Sequence, residues 1–265
     1  MNTLILLRGG GDLASGVALR LVRAGYQVVI LELPRPLTVR RLASFSEAVY
    51  QGQTTLEGLT ARLVTPDKVQ STLDANEIPV LIDPNADILN QLSFSAVVDA
   101  RLIKSPPQPL PVQVSLHIGL GPGFHAGRDC HAVIETRRGH TLGRVYYSGT
   151  ALPDSGQPDG DSRRVLRVPA DGILKTHAKI GEHVAKGELI AEVKDGDHRI
   201  EVHSPFAGAL RGLLHDELEV TRGLKLGDVD QRDDPSLCRL VSDKALAVGG
   251  GVLEALLAAG LYPKI

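Results

Sequence analysis

The sequence is poor in aromatic residues, in cysteine and in excess charge of either sign. It has no tryptophan, four phenylalanines and five tyrosines, so it lacks the stacking platforms that bind bases and the aromatic cages that bind quaternary amines. Lys and Arg number 29 against 31 Asp and Glu, which gives a formal charge of -2. Because no Lys/Arg cluster is longer than a pair, nucleic acid is not expected as a partner.

The two cysteines, Cys130 and Cys238, lie far apart and form no CxxC pair. Neither a disulfide framework nor a zinc site is therefore predicted, and both residues are expected to be small buried thiols.

Long hydrophobic runs are also missing, and the mean hydropathy is +0.01. The chain is not expected to cross a membrane. The N-terminal apolar run ends after a few residues at Arg8, which favours a first β-strand over a secretory signal and leads us to expect a cytoplasmic location.

Short aliphatic runs alternate with helical patterns over the first hundred residues. The runs cover 3–7, 28–33, 79–83 and 96–99, and Leu13, Val17 and Leu21 recur between the first two at helical spacing. This alternation predicts an α/β fold with a Rossmann-like parallel sheet. Strand-like segments follow the proline-rich SPPQPLP, and RRGH is flanked by two of them as a predicted hairpin. We expect this nucleotide-binding domain with its β extension to span residues 1–152.

A second domain is predicted after PDSGQPDGDS at 153–162, which has the composition of a linker. Residues 163–230 contain a repeat at an offset of 36 positions, with pairs such as Gly172 and Gly208 or Val184 and Val220. The run IGEHVAKGELI resembles the hallmark of lipoyl/biotinyl-type domains. That resemblance implies a small all-β barrel, but Asp197 stands where such domains carry the modifiable lysine, so a docking or spacer role is expected.

The C-terminal region, 231–265, is predicted to form an apolar helix over 236–259. Such a helix must be buried, either by docking on the N-terminal domain or by pairing with a second copy in a homodimer. Its run Gly249-Gly250-Gly251 is compatible with close backbone packing or with a second phosphate-binding turn.

A glycine turn between the first strand and helix is the leading functional motif. It follows the pattern GxGxxA, whose glycines let backbone N–H groups approach a pyrophosphate at a helix N-terminus. The predicted cofactor-binding residues here are Gly9, Gly10, Gly11, Asp12, Ala14 and Ser15. The alternative is a turn that merely packs the helix on the strand.

Glu32 ends the second strand, where a carboxylate can accept from the ribose hydroxyls of NAD. Arg40 follows it and is predicted to clamp an anionic ligand, with a solvated surface position as the alternative.

Four further residues are candidates for catalysis: Asp99, Arg101, His125 and Glu135. Asp99 ends a predicted strand and Arg101 follows it, and both are also compatible with a helix cap or an internal ion pair. His125 ends the glycine-rich run GLGPGFH, which could wrap closely around a ligand. Asp129, His131 and Glu135 would share one strand face, so a metal site is geometrically conceivable there. Polar contacts with a substrate are preferred, surface charges of a hairpin are the other alternative, and no metal is predicted.

The runs RGGGDLASGVALRLVRAGYQVVILELPRPLTVRRLASFSEAVYQG, VVDARLIK and SDKALAVGGGVLEALL resemble the YqeB family. The resemblance extends over nearly the whole chain. It implies an accessory role in maturing selenium-dependent molybdenum hydroxylases, with the hydroxylase or its maturation proteins as partners, but no defined reaction.

We therefore expect an accessory protein that binds a dinucleotide, either NAD or a molybdopterin dinucleotide, at the glycine turn. Two alternatives remain: an NAD-dependent oxidoreductase of a small molecule, and a non-catalytic docking scaffold.

Overall fold

The computed structural model describes residues 3–153 and 160–263. The chain divides into two compact units, the first formed by Met1–Pro36, Ser44–Asp154 and Val241–Ile265 and the second by Leu37–Ala43 and Ser155–Leu240. These bounds differ from the predicted ones, since 37–43 and 231–240 belong to the second unit. Most of the predicted linker, residues 154–159, lies outside the described residues.

Among the described residues, the first unit consists of one large sheet, a small two-stranded sheet and four α-helices. Its elements in chain order are β1 (Leu4–Arg8), α1 (Asp12–Arg23), β2 (Gln27–Glu32), α2 (Ala48–Gln51), β3 (Gln53–Leu56), β4 (Leu59–Leu63), α3 (Val69–Asp74), β5 (Ile78–Ile82), β6 (Ala96–Asp99), β7 (His117–Leu120), β8 (His125–Ala126), β9 (Ala132–Ile134), β10 (Val145–Tyr146), β11 (Gly149–Thr150) and α4 (Asp243–Ala258).

Nine strands form the large sheet, in the order β10-β9-β7-β6-β1-β2-β5-β4-β3. The central pairs are parallel, whereas β3 pairs antiparallel with β4 at one edge and β10 pairs antiparallel with β9 at the other. The central strands are buried apolar runs, with Leu6, Val29 and Val97 in one core cluster. Such runs are typical of strands covered on both faces.

The predicted Rossmann-like parallel sheet is wrong, because this sheet is mixed. The turn between β3 and β4 has only two residues, Glu57 and Gly58, both with positive φ (47° and 86°). A two-residue turn of this kind can only join antiparallel neighbours. The hairpin predicted around RRGH is present as β9 and β10.

Strand β7 is shorter than expected. The first strand-like segment after SPPQPLP becomes a strand only from His117 onward. The preceding residues form an extended connector without regular strand pairing, which follows from the prolines of this region.

The final helix also begins later than predicted. Asp234 caps a short 3-10 turn at Pro235–Arg239, which belongs to the second unit, and α4 starts only at Asp243. The Ser242 hydroxyl accepts from the N–H of Ala245 at 3.1 Å and fixes that start.

Helix α4 packs closely on α1 through glycines. A Cβ on Gly16 would lie 2.5 Å from the carbonyl carbon of Ala245, and one on Gly249 would lie 2.7 Å from the carbonyl oxygen of Gly16. The glycine run of α4 thus serves close backbone packing, not a phosphate-binding turn.

In the described part of the second unit, the strands form two four-stranded antiparallel sheets. Its strands are β12 (Val165–Arg167), β13 (Gly172–Thr176), β14 (His183–Val184), β15 (Leu189–Asp195), β16 (His198–His203), β17 (Gly208–Leu213), β18 (Glu219–Val220) and β19 (Lys225–Asp230). The sheet orders are β12-β19-β17-β14 and β16-β15-β13-β18.

The internal repeat explains this arrangement. Strands β13, β14 and β15 of the first copy recur as β17, β18 and β19 of the second. The short middle strands are exchanged, since β14 pairs with β17 and β18 pairs with β13. Apolar residues of both copies, among them Val184, Leu210 and Val220, then form one core that neither copy could enclose alone.

The prediction of a lipoyl/biotinyl-like domain is likewise corrected. The unit consists of two separate sheets and extends beyond residues 163–230. It includes Leu37–Ala43, whose Val39 carbonyl accepts from the N–H of Leu213 at 2.9 Å. Leu37–Ala43 is far in sequence from the rest of the second unit, and it has no periodic pattern from which this assignment could be predicted.

Candidate functional site

Several charged residues meet at the carboxyl edge of the large sheet. The strands β1, β2 and β6 end at Arg8, Glu32 and Asp99, respectively. Because these strands are parallel and adjacent, and Arg8 is paired in register with Asp99, their ends lie side by side. This edge is where ligands bind in many α/β sheets.

Asp99 is the centre of an ion-pair cluster. Its carboxylate is fully buried and accepts from Arg101 Nε at 2.9 Å and Nη2 at 2.7 Å, while Arg8 Nη1 lies 3.5 Å away. Burial lowers the pKa of the Arg8 guanidinium, against the opposing attraction of Asp99. The Arg101 side chain remains 34% exposed. Two guanidinium groups therefore face one carboxylate, and the outer one still has N–H groups for an anion.

The loop that carries Arg101 is held in an uncommon conformation. Leu102 has a φ of 54°, in the left-handed region that residues with a side chain rarely adopt. On its inner side, a Cβ on Gly9 would lie 3.4 Å from the carbonyl of Ala100 and 3.6 Å from the nitrogen of Arg101. The glycine turn and the Arg101 loop are therefore immediate neighbours.

Most polar groups of the glycine turn bond within the protein. The N–H of Gly9, whose φ is 102°, donates to the Leu31 carbonyl at 2.7 Å, and the N–H of Gly10 donates to Glu32 Oε1 at 2.8 Å. The single proton of the Ser15 hydroxyl is shared between the carbonyls of Gly11 at 2.9 Å and Gly10 at 3.1 Å, and its oxygen accepts from the N–H of Phe45. Two of the three glycine N–H groups are thus engaged, and Ser15 stabilises the turn.

The other predicted residues of the turn belong to the first turn of α1. Asp12 is the first residue of the helix, where its negative charge is favourable to the helix dipole. Ala14 is 1% exposed and packs in the core.

Glu32 anchors the turn from the end of β2. Its second oxygen accepts from the N–H of Leu33 at 2.7 Å. Burial raises the pKa of the carboxyl, although both backbone N–H groups act in the opposite direction.

Carboxylates at other strand ends have the same role. Asp83 accepts from the N–H groups of Asp87 and Ile88 after β5. Glu135, which is fully buried after β9, accepts from those of Arg137 and Leu152 at 2.8 Å each. Asp83 and Glu135 therefore fix the conformation of neighbouring loops. Because the carboxylate of Glu135 is used in this way, Glu135 does not belong to the cluster of Asp99 and Arg101.

The histidines and Asp129 also have separate partners. Asp129 accepts from the N–H of His125 at 2.9 Å and forms an ion pair with Arg128. His131 Nδ1 accepts from the N–H of His117. The shared strand face expected for Asp129, His131 and Glu135 is therefore wrong, because the first two residues precede β9 in a turn.

The glycine-rich run before His125 packs on the protein itself. A Cβ on Gly119 would lie 2.2 Å from the ring of Phe124, and one on Gly123 would lie 2.2 Å from the carbonyl oxygen of Ile103. Close internal packing, and not approach to a ligand, accounts for these glycines.

Arg40 lies in the second unit. Its guanidinium is buried and donates to the carbonyls of Leu237 at 3.2 Å and Leu240 at 2.9 Å. Sequence proximity to Glu32 suggested the sheet edge, but the chain enters the other unit at Leu37.

A groove at the carboxyl ends of β4 and β5 was not predicted. It has a volume of about 700 Å³, within the range of small-molecule sites. Its surface is apolar at Leu63, Leu81 and Ile82, with Lys68 and Asp87 among its polar residues. Ile82 is 47% exposed, which is unusual for the end of a central strand.

The groove is also connected to Arg8. Asp83 lines the groove, and the carbonyl of the next residue, Pro84, accepts from Arg8 Nη2 at 3.3 Å. The groove therefore adjoins the ion-pair cluster.

No set of three or more His, Cys, Asp or Glu side chains arranged to hold a metal occurs within residues 3–153 and 160–263. Both cysteines are buried free thiols, as predicted. Burial raises the pKa of the Cys130 thiol to about 11 and also raises that of Cys238, so neither is a thiolate near neutral pH. In the same described ranges, no helix combines the length and apolar character needed to cross a membrane.

Comparison with known proteins gives one strong sequence similarity. The chain is 46% identical over 261 residues to the uncharacterized protein YqeB of Escherichia coli K12. The alignment covers 97% of this chain but 48% of that protein, so the chain spans about half the length of its relative. The identity supports the resemblance to the YqeB family. No known family profile matches the chain.

Similarities to solved structures are weak. An aspartoacylase family protein from Mesorhizobium loti has 9% identity and a TM-score of 0.29, over 86% of this chain and 84% of that one. A succinylglutamate desuccinylase/aspartoacylase from Rhodobacter sphaeroides has 11% identity and a TM-score of 0.28, over 86% and 85%. At such scores they carry no argument about activity.

Proposed function

We propose that this chain, given its likeness to YqeB, is an accessory protein of the selenium-dependent molybdenum hydroxylase system. Its first unit would hold an anionic, dinucleotide-type ligand at the carboxyl edge of the large sheet. A molybdopterin dinucleotide is the ligand class that the family resemblance suggests. The proposed role is to bind and present this cargo to a hydroxylase or to another maturation protein.

One observation carries the binding proposal. The partly exposed guanidinium of Arg101 is fixed by a fully buried carboxylate, beside the glycine turn and near the groove. A guanidinium held in this way is preorganised, so binding a phosphate costs little side-chain entropy.

The ion-pair cluster fits the phosphates of a dinucleotide-type ligand, and the groove fits its heterocycle. The Arg101 N–H groups that Asp99 does not use can donate to phosphate oxygens, while buried Arg8 adds positive charge behind them. The apolar surface of the groove can cover a flat heterocycle, with Lys68 and Asp87 available to bond its polar edge.

The thiols do not support direct handling of selenium. Both are buried and protonated near neutral pH, whereas carrying a chalcogen atom requires an accessible thiolate. The proposed role is therefore confined to binding.

Isothermal titration calorimetry tests the proposal directly. The whole chain is titrated with a molybdopterin cytosine dinucleotide, CTP and NAD. We expect the molybdopterin dinucleotide to bind most tightly and Arg101→Ala to weaken it about tenfold or more. Arg62→Ala is the matched control, because Arg62 also forms a two-point ion pair, with Glu77, but lies on β4 away from the cluster. Equal weakening by both variants would contradict the proposal.

The two alternatives give different results in the same experiment. Tight NAD binding with hydride transfer would favour an oxidoreductase. That reading needs Glu32 for the ribose, although both of its oxygens already accept backbone N–H groups. No binding of any nucleotide, together with capture of a molybdenum hydroxylase, would favour a docking scaffold.

A further inference from the structure

Strand β16 of the second unit is the longest edge strand among the described residues. It has six residues, His198–His203, and pairs only with β15, whereas the other edge strands have four residues or fewer. Most of its side chains are exposed, and that of Ile200 is 39% exposed. An edge strand of this length presents a row of unpaired backbone groups with which another strand can pair.

The unpaired backbone groups of β16 belong to alternate residues. Ser204, which directly follows the strand, donates from its N–H to the Glu188 carbonyl at 2.9 Å, and its carbonyl accepts from the N–H of Gly187 at 2.8 Å. Both of its groups thus face the side of β15. Because this orientation alternates along an antiparallel pair, the N–H and C=O groups of Arg199 and Glu201 point away from β15, toward the free edge.

The outer face of the hairpin formed by β15 and β16 sets like charges opposite each other. Glu192 is paired in register with Glu201, and Lys194 is paired with Arg199. Like charges that lie directly opposite each other in a sheet are destabilising. The charge pattern of β16 is therefore unfavourable toward its one neighbour in the chain.

Diagonal contacts compensate for these pairs, but they do so mainly at Glu192. Arg199 Nη1 lies 3.8 Å and Lys194 Nζ lies 3.7 Å from Glu192 Oε1. Glu201, whose side chain is 56% exposed, instead contacts His203 Nε2 at 2.9 Å, and this imidazole is charged only when it is protonated. Within the described part of the chain, Glu201 therefore lacks a permanent counter-charge.

A second copy of β16 supplies this counter-charge when it pairs antiparallel along the free edge. Residues exchange backbone bonds across the new pair only if their groups face it, which limits the exchange to alternate residues such as Arg199 and Glu201. Pairing centred on Ile200 sets Arg199 opposite Glu201 of the partner subunit, and the reverse. Pairing centred on Arg199 or on Glu201 sets like charges opposite each other. Charge therefore selects the first register.

The centre of this register also covers exposed apolar surface. Ile200 lies opposite Ile200 of the partner subunit at a non-hydrogen-bonded position, where the side chains of an antiparallel pair are closest. The same patch then contributes from both copies, as a two-fold symmetric interface requires.

We propose that two copies of this chain form a symmetric dimer through antiparallel pairing of β16. The backbones of Arg199 and Glu201 exchange hydrogen bonds with the partner subunit, their side chains form reciprocal ion pairs, and Ile200 packs at the two-fold axis. The sheet β16-β15-β13-β18 thereby continues into its copy. This inference is independent of the proposed function, since it uses the second unit alone.

Sedimentation velocity of the full chain, from micromolar to millimolar concentration, tests the inference. A strand pair buries a small area, so we expect a weak dimer with a dissociation constant on the order of tens of micromolar. Arg199→Glu and Glu201→Arg should each weaken self-association about tenfold or more, because each sets like charges opposite each other across the interface. The control is Arg222→Glu, an exposed charge reversal in the turn before β19, and it should leave the dissociation constant unchanged.

The two charge variants also separate dimerisation from folding. Within the hairpin, Arg199→Glu sets a carboxylate opposite Lys194, and Glu201→Arg sets a guanidinium opposite Glu192, so both variants should remain folded. An equimolar mixture of the two should form a heterodimer about as tightly as the wild type forms its dimer. In this heterodimer every carboxylate at positions 199 and 201 faces a guanidinium.

Amide exchange measured by NMR locates the interface. The N–H groups of Arg199 and Glu201 should become protected as the concentration of the chain rises, whereas those of Ile200 and Val202 are already bonded to β15 and should change less.

A chain that remains monomeric at millimolar concentration would overturn the inference. A dimer that both charge variants leave unchanged would overturn it too, as would variants whose mixture stays monomeric or protection at Arg199 and Glu201 that does not depend on concentration. These outcomes do not depend on whether the molybdopterin dinucleotide binds at the carboxyl edge, so the two proposals fail separately.

Discussion

At the scale of single residues, carboxylates at strand ends divide into two groups. Glu32, Asp83 and Glu135 accept backbone N–H groups of neighbouring loops, whereas Asp99 also holds two arginines. Sequence analysis placed these acids at or next to strand ends, but it could not distinguish a loop anchor from a ligand contact. That distinction depends on which N–H groups the loop brings back to the acid, and such contacts leave no local pattern.

The raised pKa of Glu32 predicts a pH-dependent contribution to stability. A carboxyl whose pKa is higher in the folded state contributes most below its unfolded value, near 4.5, and this contribution is lost as the pH rises through the folded value. The stability of the wild type relative to Glu32→Gln should therefore fall over this interval. Urea unfolding of both proteins at a series of pH values measures it. If the difference in free energy of unfolding between the two proteins is constant or rises with pH, burial does not determine the direction in which the pKa of Glu32 shifts.

Asp99→Asn should be strongly destabilising. The change leaves the buried Arg8 guanidinium without its counter-charge and removes the support of Arg101. We expect a loss of about 3–5 kcal/mol in the free energy of unfolding, measured by urea denaturation. Asp67→Asn, at an exposed surface pair, is the control and should leave the free energy of unfolding nearly unchanged. Similar effects of the two changes would argue against a stabilising cluster.

At the scale of elements, the pair α1 and α4 depends on glycine. The sequence predicted both helices and offered two explanations for the glycine run, but it could not choose between them. The choice depends on the residue opposite each glycine, and Gly16 of α1 is more than 200 positions away from Gly249. The surroundings of neighbouring glycines in α4 differ for the same reason. A Cβ on Gly249 would contact α1, whereas a Cβ on Gly250 would have no atom within 4 Å.

Alanine at these two neighbouring positions should have opposite effects. Gly249→Ala places a Cβ against the Gly16 carbonyl and should lower the free energy of unfolding by about 1–3 kcal/mol. Gly250→Ala meets open space and should raise it by about 0.5–1 kcal/mol, because alanine has the higher helix propensity. Thermal and urea unfolding compare the two variants. A stabilising Gly249→Ala would refute close packing of these helices.

At the scale of the whole molecule, the sequence predicted the α/β class of the first unit and a β-rich second unit, but not the connections. The repeat indicated two related halves, whereas the exchange of β14 and β18 between sheets became visible only in the structure. Leu37–Ala43 was missed because it contributes by filling a gap, with Val39 against Gly212, and not through a periodic pattern. The antiparallel strands at the two edges of the large sheet were not predicted, because the direction of a strand depends on the geometry of the turn before it.

Arg40→Ala tests the assignment of this segment to the second unit. Loss of the bonds to the Leu237 and Leu240 carbonyls should cost about 2 kcal/mol. In hydrogen exchange, protection should fall in β17 and residues 235–240 and stay unchanged in β1 and β2. The exposed Arg239→Ala should have little effect. A uniform loss of protection across both units would contradict the assignment.

The most direct test of the central claim is an NMR titration of the whole chain with a molybdopterin cytosine dinucleotide, following backbone amide signals. Binding at the carboxyl edge predicts saturable shifts at Gly11, Arg101 and Leu102 and along the groove near Ile82, all lost in Arg101→Ala. Unmoved signals at these residues, with the ligand in excess, would contradict an anion site at this edge.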